Sequence, residues 1–170
     1  MTSSIQQEPW LRGTLTDLPA VPRAVIHALA LAREDIDKWC GELSDAELNG
    51  QVGIPPVAFQ LKHIAGSMDR LLTYAEGSPL TPGQIAAMKS EIDSVNTAKE
   101  IFAELRVAFE RSIQRIRTLA ATNLEEARTV GRKQLPTSVG GLLVHVADHT
   151  QRHVGQAITT AKIVRAAHRS

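Results

Sequence analysis

Leu142-Leu143-Val144-His145-Val146-Ala147-Asp148-His149-Thr150-Gln151-Arg152-His153-Val154-Gly155-Gln156 is the stretch whose spacing decides the fold class. Three histidines recur every fourth residue inside an apolar pattern. Side chains at i and i+4 stack on one face of a helix, so the spacing makes a ladder of imidazoles one turn apart. Leu142, Leu143, Val146, Ala157, Thr160, Ala161 and Val164 extend the same periodicity, with Thr137 or Ser138 as its cap. On a wheel His149 and His153 lie inside the apolar arc and His145 lies at its edge. Burying two imidazoles is costly unless their nitrogens are bonded or coordinated. Lys162, Arg165, His168 and Arg169 fall in the last turns, where positive charge suits the helix dipole.

Three more long segments read the same way. Val25, Leu29, Ala32, Ile36 and Trp39 define a helix from Pro19 to about Cys40, stopped at Gly41. After Pro55-Pro56 a second helix runs from Val57 to about Glu76, with Val57, Leu61, Ile64, Met68 and Leu72 on its core stripe. His63 sits on a separate, partly polar face of that helix with Phe59, Ser67 and Tyr74. From Ser94, the positions Ala98, Phe102, Leu105, Phe109, Ser112, Ile116 and Leu119 form a third seam, opposite charges of alternating sign. Ser44-Asp45-Ala46-Glu47 and Thr81-Pro82-Gly83-Gln84 look like starts of short helices. Residues 122–137 read as an extended or turn segment whose Arg128, Arg132 and Lys133 are solvated, and His27 falls opposite its helix's apolar stripe, as a solvated residue would. No alternating run is long enough to call for a sheet. Four long amphipathic segments imply an all-α four-helix bundle, one domain over residues 1–170 with an irregular arm at 1–18 anchored by Trp10 and Leu11.

Bulk properties exclude several classes. The 170 residues hold 19 Lys and Arg against 18 Asp and Glu, a net charge of +1. That balance gives no reason to expect nucleic acid or an anionic membrane as partner, and 4% aromatic residues supply few base-stacking platforms. No run reaches the ~18 apolar residues of a membrane span. The start MTSSIQQEPWLRG lacks a secretory pattern, and one cysteine, Cys40, suits a reducing cytoplasm. Trp10 and Trp39 are candidates for a homodimer interface.

The histidines carry the chemistry. His149 and His153 supply two nitrogens from one helix, and a catalytic zinc commonly takes three protein ligands and leaves a position open. His63 is the remaining histidine on a long helix whose wheel position suits a ligand, and facing helices of a bundle build metal sites in this way. Asp148 is turned ~100° from His149 and is expected in surface ion pairs. No Glu stands beside the ligands as in H-E-x-x-H, which disfavours protease chemistry. Such a site suits thiol activation and hydrolysis alike.

The segment Leu143 to Gln156 resembles the H-x3-H-x3-H-R-G-Q signature of the DinB-like superfamily, and Phe59-Gln-Leu-Lys-His63-Ile-Ala-Gly-Ser-Met-Asp-Arg70 resembles that family's second helix. The resemblance covers nearly the whole chain. It implies an up-down-down-up four-helix bundle holding a divalent metal, zinc or nickel, through His63, His149 and His153. His145 is then expected near the site rather than on the metal, and Gln156, Tyr74 and Phe59 in its cavity or outer shell. Val154 departs from the pattern, which often has Arg there. Relatives conjugate low-molecular-weight thiols to small electrophiles, so the resemblance implies a metal-dependent S-transferase or hydrolase. Two other readings stand beside it: a non-catalytic metal-binding stress-response bundle, and a structural dimeric bundle whose histidines are bonded core residues.

Overall fold

Among the described residues six helices form, the four long ones where apolar periodicity runs on one face. In chain order they are α1 (Ala20–Cys40), α2 (Asp45–Asn49), α3 (Val57–Ala75), α4 (Pro82–Ser90), α5 (Ala98–Leu119) and α6 (Val139–Ala167). The computed structural model describes residues 7–92 and 96–167; Ser94, His168 and Arg169 lie outside the described residues. Ser44, Thr81 and Thr97 each close a reciprocal capping box, with Glu47, Gln84 and Glu100 as the return partners. Ser138 accepts a bond from the Gly141 amide at the start of α6. Pro19 and Pro56 precede α1 and α3 with extended backbone, where a missing N–H leaves no helical bond unmade.

The long helices α1, α3, α5 and α6 share one core. Leu29, Ile36, Leu61, Ile64, Met68, Leu72, Ile101, Phe109, Ile116 and Leu143 are fully buried in it. α3 packs against both α5 and α6, and α1 against α6 and, less extensively, α5. Cross-helix bonds give the directions. Gln60 meets His153 while His63 meets His149, so α3 and α6 are antiparallel. Lys62 reaches Asn96 just before α5 (2.9 Å), and Glu76 receives Arg115 further along it (2.7 Å), so α3 and α5 are parallel. Gln151 donates to the Ala28 carbonyl while Arg165 acts on Cys40, so α1 and α6 are parallel as well.

α4 differs from the others, because it buries none of its side chains. It is held on α3 by polar bonds: Gln84 Nε2 donates to Asp69 Oδ2 (2.6 Å) and to Thr73 Oγ1 (2.8 Å). Its far end delivers Glu91, which is buried.

Four sequence expectations are corrected. A small antiparallel sheet is present, β1 (Ala127–Val130) paired with β2 (Leu135–Ser138) in the register Ala127↔Ser138 to Val130↔Leu135. Four-residue strands are too short to display an alternating pattern, and Pro136 is tolerated because a two-stranded ribbon is all edge. Gly131 and Gln134 take positive φ in the turn, +71° and +50°. Arg128 is not solvated: its Nε donates to the Ala75 carbonyl (2.8 Å) and its Nη1 pairs with Glu126 (2.7 Å), tying the hairpin to the end of α3. Arg132 and Lys133 do remain exposed.

His27 is buried at 8% exposure rather than solvated, because the N-terminal arm folds over it and brings Thr14 Oγ1 to 3.1 Å from Nε2. A wheel drawn for one helix has no information about an arm laid on its outer face. The arm itself contains a short 3-10 turn at Pro9–Leu11. Trp10 and Leu11 stay exposed; the arm is held instead by Leu15 and Leu18 against the core and by Arg12 bonded to both oxygens of Glu34 at 2.6 and 2.8 Å. Among the described residues, no helix is long and apolar enough to cross a membrane.

Candidate metal centre

His63 lies on α3 beside the buried Leu61 and Ile64, and His149 and His153 lie on α6 between the buried Val146, Thr150 and Val154. Each imidazole therefore starts at the rim of a packed stripe and points across the α3–α6 interface. All three are half-buried, and each offers a ring nitrogen within 4.8 Å of the other two. His63 Nε2 stands 3.0 Å from His149 Nε2. The His153 ring centroid is 4.4 Å from that of His63 and 4.5 Å from that of His149.

Two of the rings are fixed from behind. His63 Nδ1 lies 2.7 Å from Glu91 Oε2, and Glu91 Oε1 receives Arg70 Nη1 at 2.6 Å. His153 Nδ1 lies 2.7 Å from Gln60 Oε1. Gln60, Arg70 and Glu91 are all buried. A ring whose Nδ1–H donates to an oxygen keeps a lone pair on Nε2 and has its plane set. Phe59 stacks on the outer face of His63, with centroids 5.6 Å apart and planes 20° from parallel.

The electrostatics favour neutral imidazoles at His149 and His153. His149 is pushed down to about 4 by burial first, and then by the positive charge of His153, His63, His145 and Arg152 around it. His153 is lowered for the same leading reason, partly opposed by a hydrogen bond to Gln156 and by Glu91. For Glu91, burial opposes ionisation, but the hydrogen bonds from His63 and Arg70 outweigh it, and its carboxyl is held below the ordinary glutamate value. Neutral imidazoles beside an ionised carboxylate are the state in which a divalent cation binds.

The other sequence candidates are placed as follows. His145 is exposed, one turn from His149 with ring centroids 5.4 Å apart, and its Nδ1 lies 3.7 Å from Asp148. Asp148 also pairs with Arg152 at 2.9 Å, on the outer surface of α6. Gln156 is exposed and touches the cluster through His153. Tyr74 is on α3 eleven residues after His63, about 16 Å along the axis at 1.5 Å per residue; it lines a separate cavity between α4 and the hairpin. Val154, where the motif often carries Arg, is 2% exposed and belongs to the core. Cys40 is buried and its thiol is pushed up to about 11 by desolvation, so it offers no thiolate.

Sequence reasoning missed Gln60, Arg70 and Glu91. Gln60 and Arg70 stand three residues before and seven after His63, which is helical spacing onto the same face. A polar residue repeated on a face that must be buried is the signal that would have found them. Glu91 had no such signal, since it follows a weakly patterned helix.

No curated protein matches the sequence. A family profile described as the DinB superfamily matches residues 28–157, a span that starts within α1, contains Gln60, His63, Arg70, Glu91, His149 and His153, and ends after Gln156. With more than half of its length covered by that profile, the chain belongs to the DinB superfamily.

Proposed function

We propose that this chain is a divalent-metal-dependent enzyme, a thiol S-transferase or hydrolase, in which His63, His149 and His153 hold the ion. The observation that carries the reading is the 3.0 Å approach of His63 Nε2 to His149 Nε2, with the Nδ1 atoms of His63 and His153 tied to Glu91 and Gln60. The donor set fits such an ion. Nitrogens bound at ~2.1 Å to a common centre lie roughly 3.0–3.4 Å apart at octahedral or tetrahedral angles. Imidazole suits zinc and nickel, and three protein ligands leave positions for a reactant. The same four long helices, with α1 parallel to α6, α3 parallel to α5 and α3 antiparallel to α6, support an up-down-down-up four-helix bundle as the frame.

A divalent ion at this site supplies Lewis acidity that lowers the pKa of a thiol or water placed against it. The chain's own residues do the rest. Glu91 and Gln60 orient two of the rings, Arg70 keeps Glu91 ionised, and Phe59 shields one face of His63 from water. Glu91 is the carboxylate nearest the histidines in this network, and both its oxygens are occupied by His63 and Arg70. It is built to hold a ligand rather than to take a proton from an attacking water. That supports transfer of a low-molecular-weight thiol to a small electrophile over hydrolysis.

The test is metal analysis and turnover on the same preparation. About one zinc or nickel per chain, lost in His149→Ala, together with chelator-sensitive conjugation of a thiol to an electrophile, is the expected result. Metal without turnover against thiols or simple esters would leave a non-catalytic metal protein. Unchanged metal content in His149→Ala would leave a bundle whose histidines are structural.

A further inference from the structure

We infer that the half-open cavity bordered by α4, the α3–α4 connection and the β-hairpin binds a small organic anion with an apolar body. Its volume is about 970 Å³, at the upper end of the range of roughly 300–1,000 Å³ usual for small-molecule sites. One part of its wall is apolar, with Leu80, Ile85, Met88 and the ring of Tyr74. Cations line it from both sides, Lys89 on α4 and Arg128 and Arg132 in the hairpin. Among the described residues, no Asp or Glu lines it. In a chain with 18 acidic and 19 basic residues, a wall of this size bearing one sign of charge focuses a positive potential on its interior.

The three cations are not equivalent. Arg128 is committed to the Ala75 and Ala127 carbonyls and to Glu126. Lys89 and Arg132 are exposed and enter no ion pair or hydrogen bond among the described residues. They face the cavity from opposite walls, one on α4 and one in the hairpin turn. The planar fork of Arg132 suits a carboxylate, sulfonate or phosphate group, and Lys89 adds a second point charge.

The apolar side of the site is equally unaccounted for within the fold. α4 buries none of its side chains, yet it carries Ile85 half-buried and Met88 at 43% exposure toward this cavity. An apolar ligand body covers them. The cavity is separate from the histidines and is linked to them only along the chain. Lys89 lies two residues before Glu91, whose carboxylate hydrogen-bonds His63. That the anion is a substrate rests on the metal-enzyme reading above; that it binds rests on the cavity alone.

A matched pair of fluorescent probes tests this: 8-anilinonaphthalene-1-sulfonate and its neutral counterpart N-phenyl-1-naphthylamine, titrated into the full chain, with hexanoate as competitor. The wild type should bind the sulfonate saturably and release it to hexanoate. The double variant Lys89→Gln/Arg132→Gln should lose about tenfold in sulfonate affinity, as for one or two charge-assisted bonds, while neutral-probe affinity changes less than about twofold. Both positions are exposed, and an unchanged melting curve checks the fold. Absence of saturable sulfonate binding, or an equal effect on both probes, overturns the proposal. His149→Ala separates the two readings: it should lose metal and keep sulfonate binding. If it keeps its metal and still binds sulfonate, the enzyme reading fails and the anion site stands.

Discussion

His63 Nε2 and His149 Nε2 face each other at 3.0 Å across two antiparallel helices. With Nδ1–H of His63 committed to Glu91, its Nε2 presents a lone pair, and two imidazole nitrogens at that distance need a proton or a cation between them. A cation binding only the folded chain stabilises it by mass action, about 2.7 kcal/mol at a hundredfold excess over Kd. For a chain of this size that corresponds to roughly 5–10 °C in Tm. Thermal melts of chelator-treated protein with added zinc or nickel should show that rise. His63→Ala and His149→Ala should each abolish it; a persistent shift would place the metal elsewhere.

The carboxylate behind His63 should matter nearly as much as the ring. Glu91→Gln keeps an acceptor for Nδ1–H but removes the charge, and loss of such an outer partner typically costs 10–100-fold in metal affinity. Gln60→Ala should act in the same direction through His153. Glu91→Ala goes further, because it strands the buried Arg70 guanidinium, and breaking a buried pair from one side costs about 3–5 kcal/mol. Competition titration against a colorimetric chelator reads the first effect and denaturant unfolding the second. Wild-type affinity in Glu91→Gln would show that His63 needs no carboxylate behind it.

Acid should destabilise the metal-free protein in a defined window. His149 has its pKa lowered from 6.5 to about 4 on folding, so between those values the unfolded chain binds the extra proton. Stability is therefore fully present above pH 6.5, declines as pH falls toward 4, and loses nothing further from this group below that. The lowered Glu91 extends the loss to more acid pH. The decline attributable to His149 is on the order of 2 kcal/mol. Urea midpoints of wild type and His149→Ala at pH 7 and pH 4.5 check it; the wild type should lose more stability than the variant, and parallel losses would remove His149 as the cause.

How much of this was legible beforehand differs from residue to residue. The long helices were readable because Leu29, Leu61, Phe109 and Leu143 recur on stripes that packing then buries. The histidine cluster was readable because i, i+4 spacing on α6 and one well-placed histidine on α3 leave few ways to arrange them. The support was not. Glu91 reaches His63 from the end of a helix that buries nothing, so its position depends on polar contacts between Gln84, Asp69 and Thr73 that no periodicity announces. His27 and Arg128 were misread for a related reason. Each is covered by a short, irregular piece, the arm at Thr14 and the hairpin at Glu126, whose placement follows from a few specific bonds.

Gly66 offers a test of the Arg70–Glu91 pair that leaves every polar partner in place. It lies within α3, where alanine is favoured over glycine by about 1 kcal/mol, so on local grounds Gly66→Ala should stabilise the helix. A Cβ there, however, would fall on Glu91 Oε1 and within 2.6 Å of Arg70 Nη1. Both groups are buried, so neither can retreat without loosening the pair, and with it the hold on His63. Disrupting a buried pair costs about 3–5 kcal/mol when one partner is lost outright, which exceeds the propensity gain. Gly66→Ala should therefore lower both Tm and metal affinity. Gly155→Ala is the matched control: it is also helical, a Cβ there meets nothing within 4 Å, and it should raise stability slightly and leave metal affinity unchanged. If Gly66→Ala behaves like Gly155→Ala in calorimetry and metal competition, the Arg70–Glu91 pair is not what positions His63.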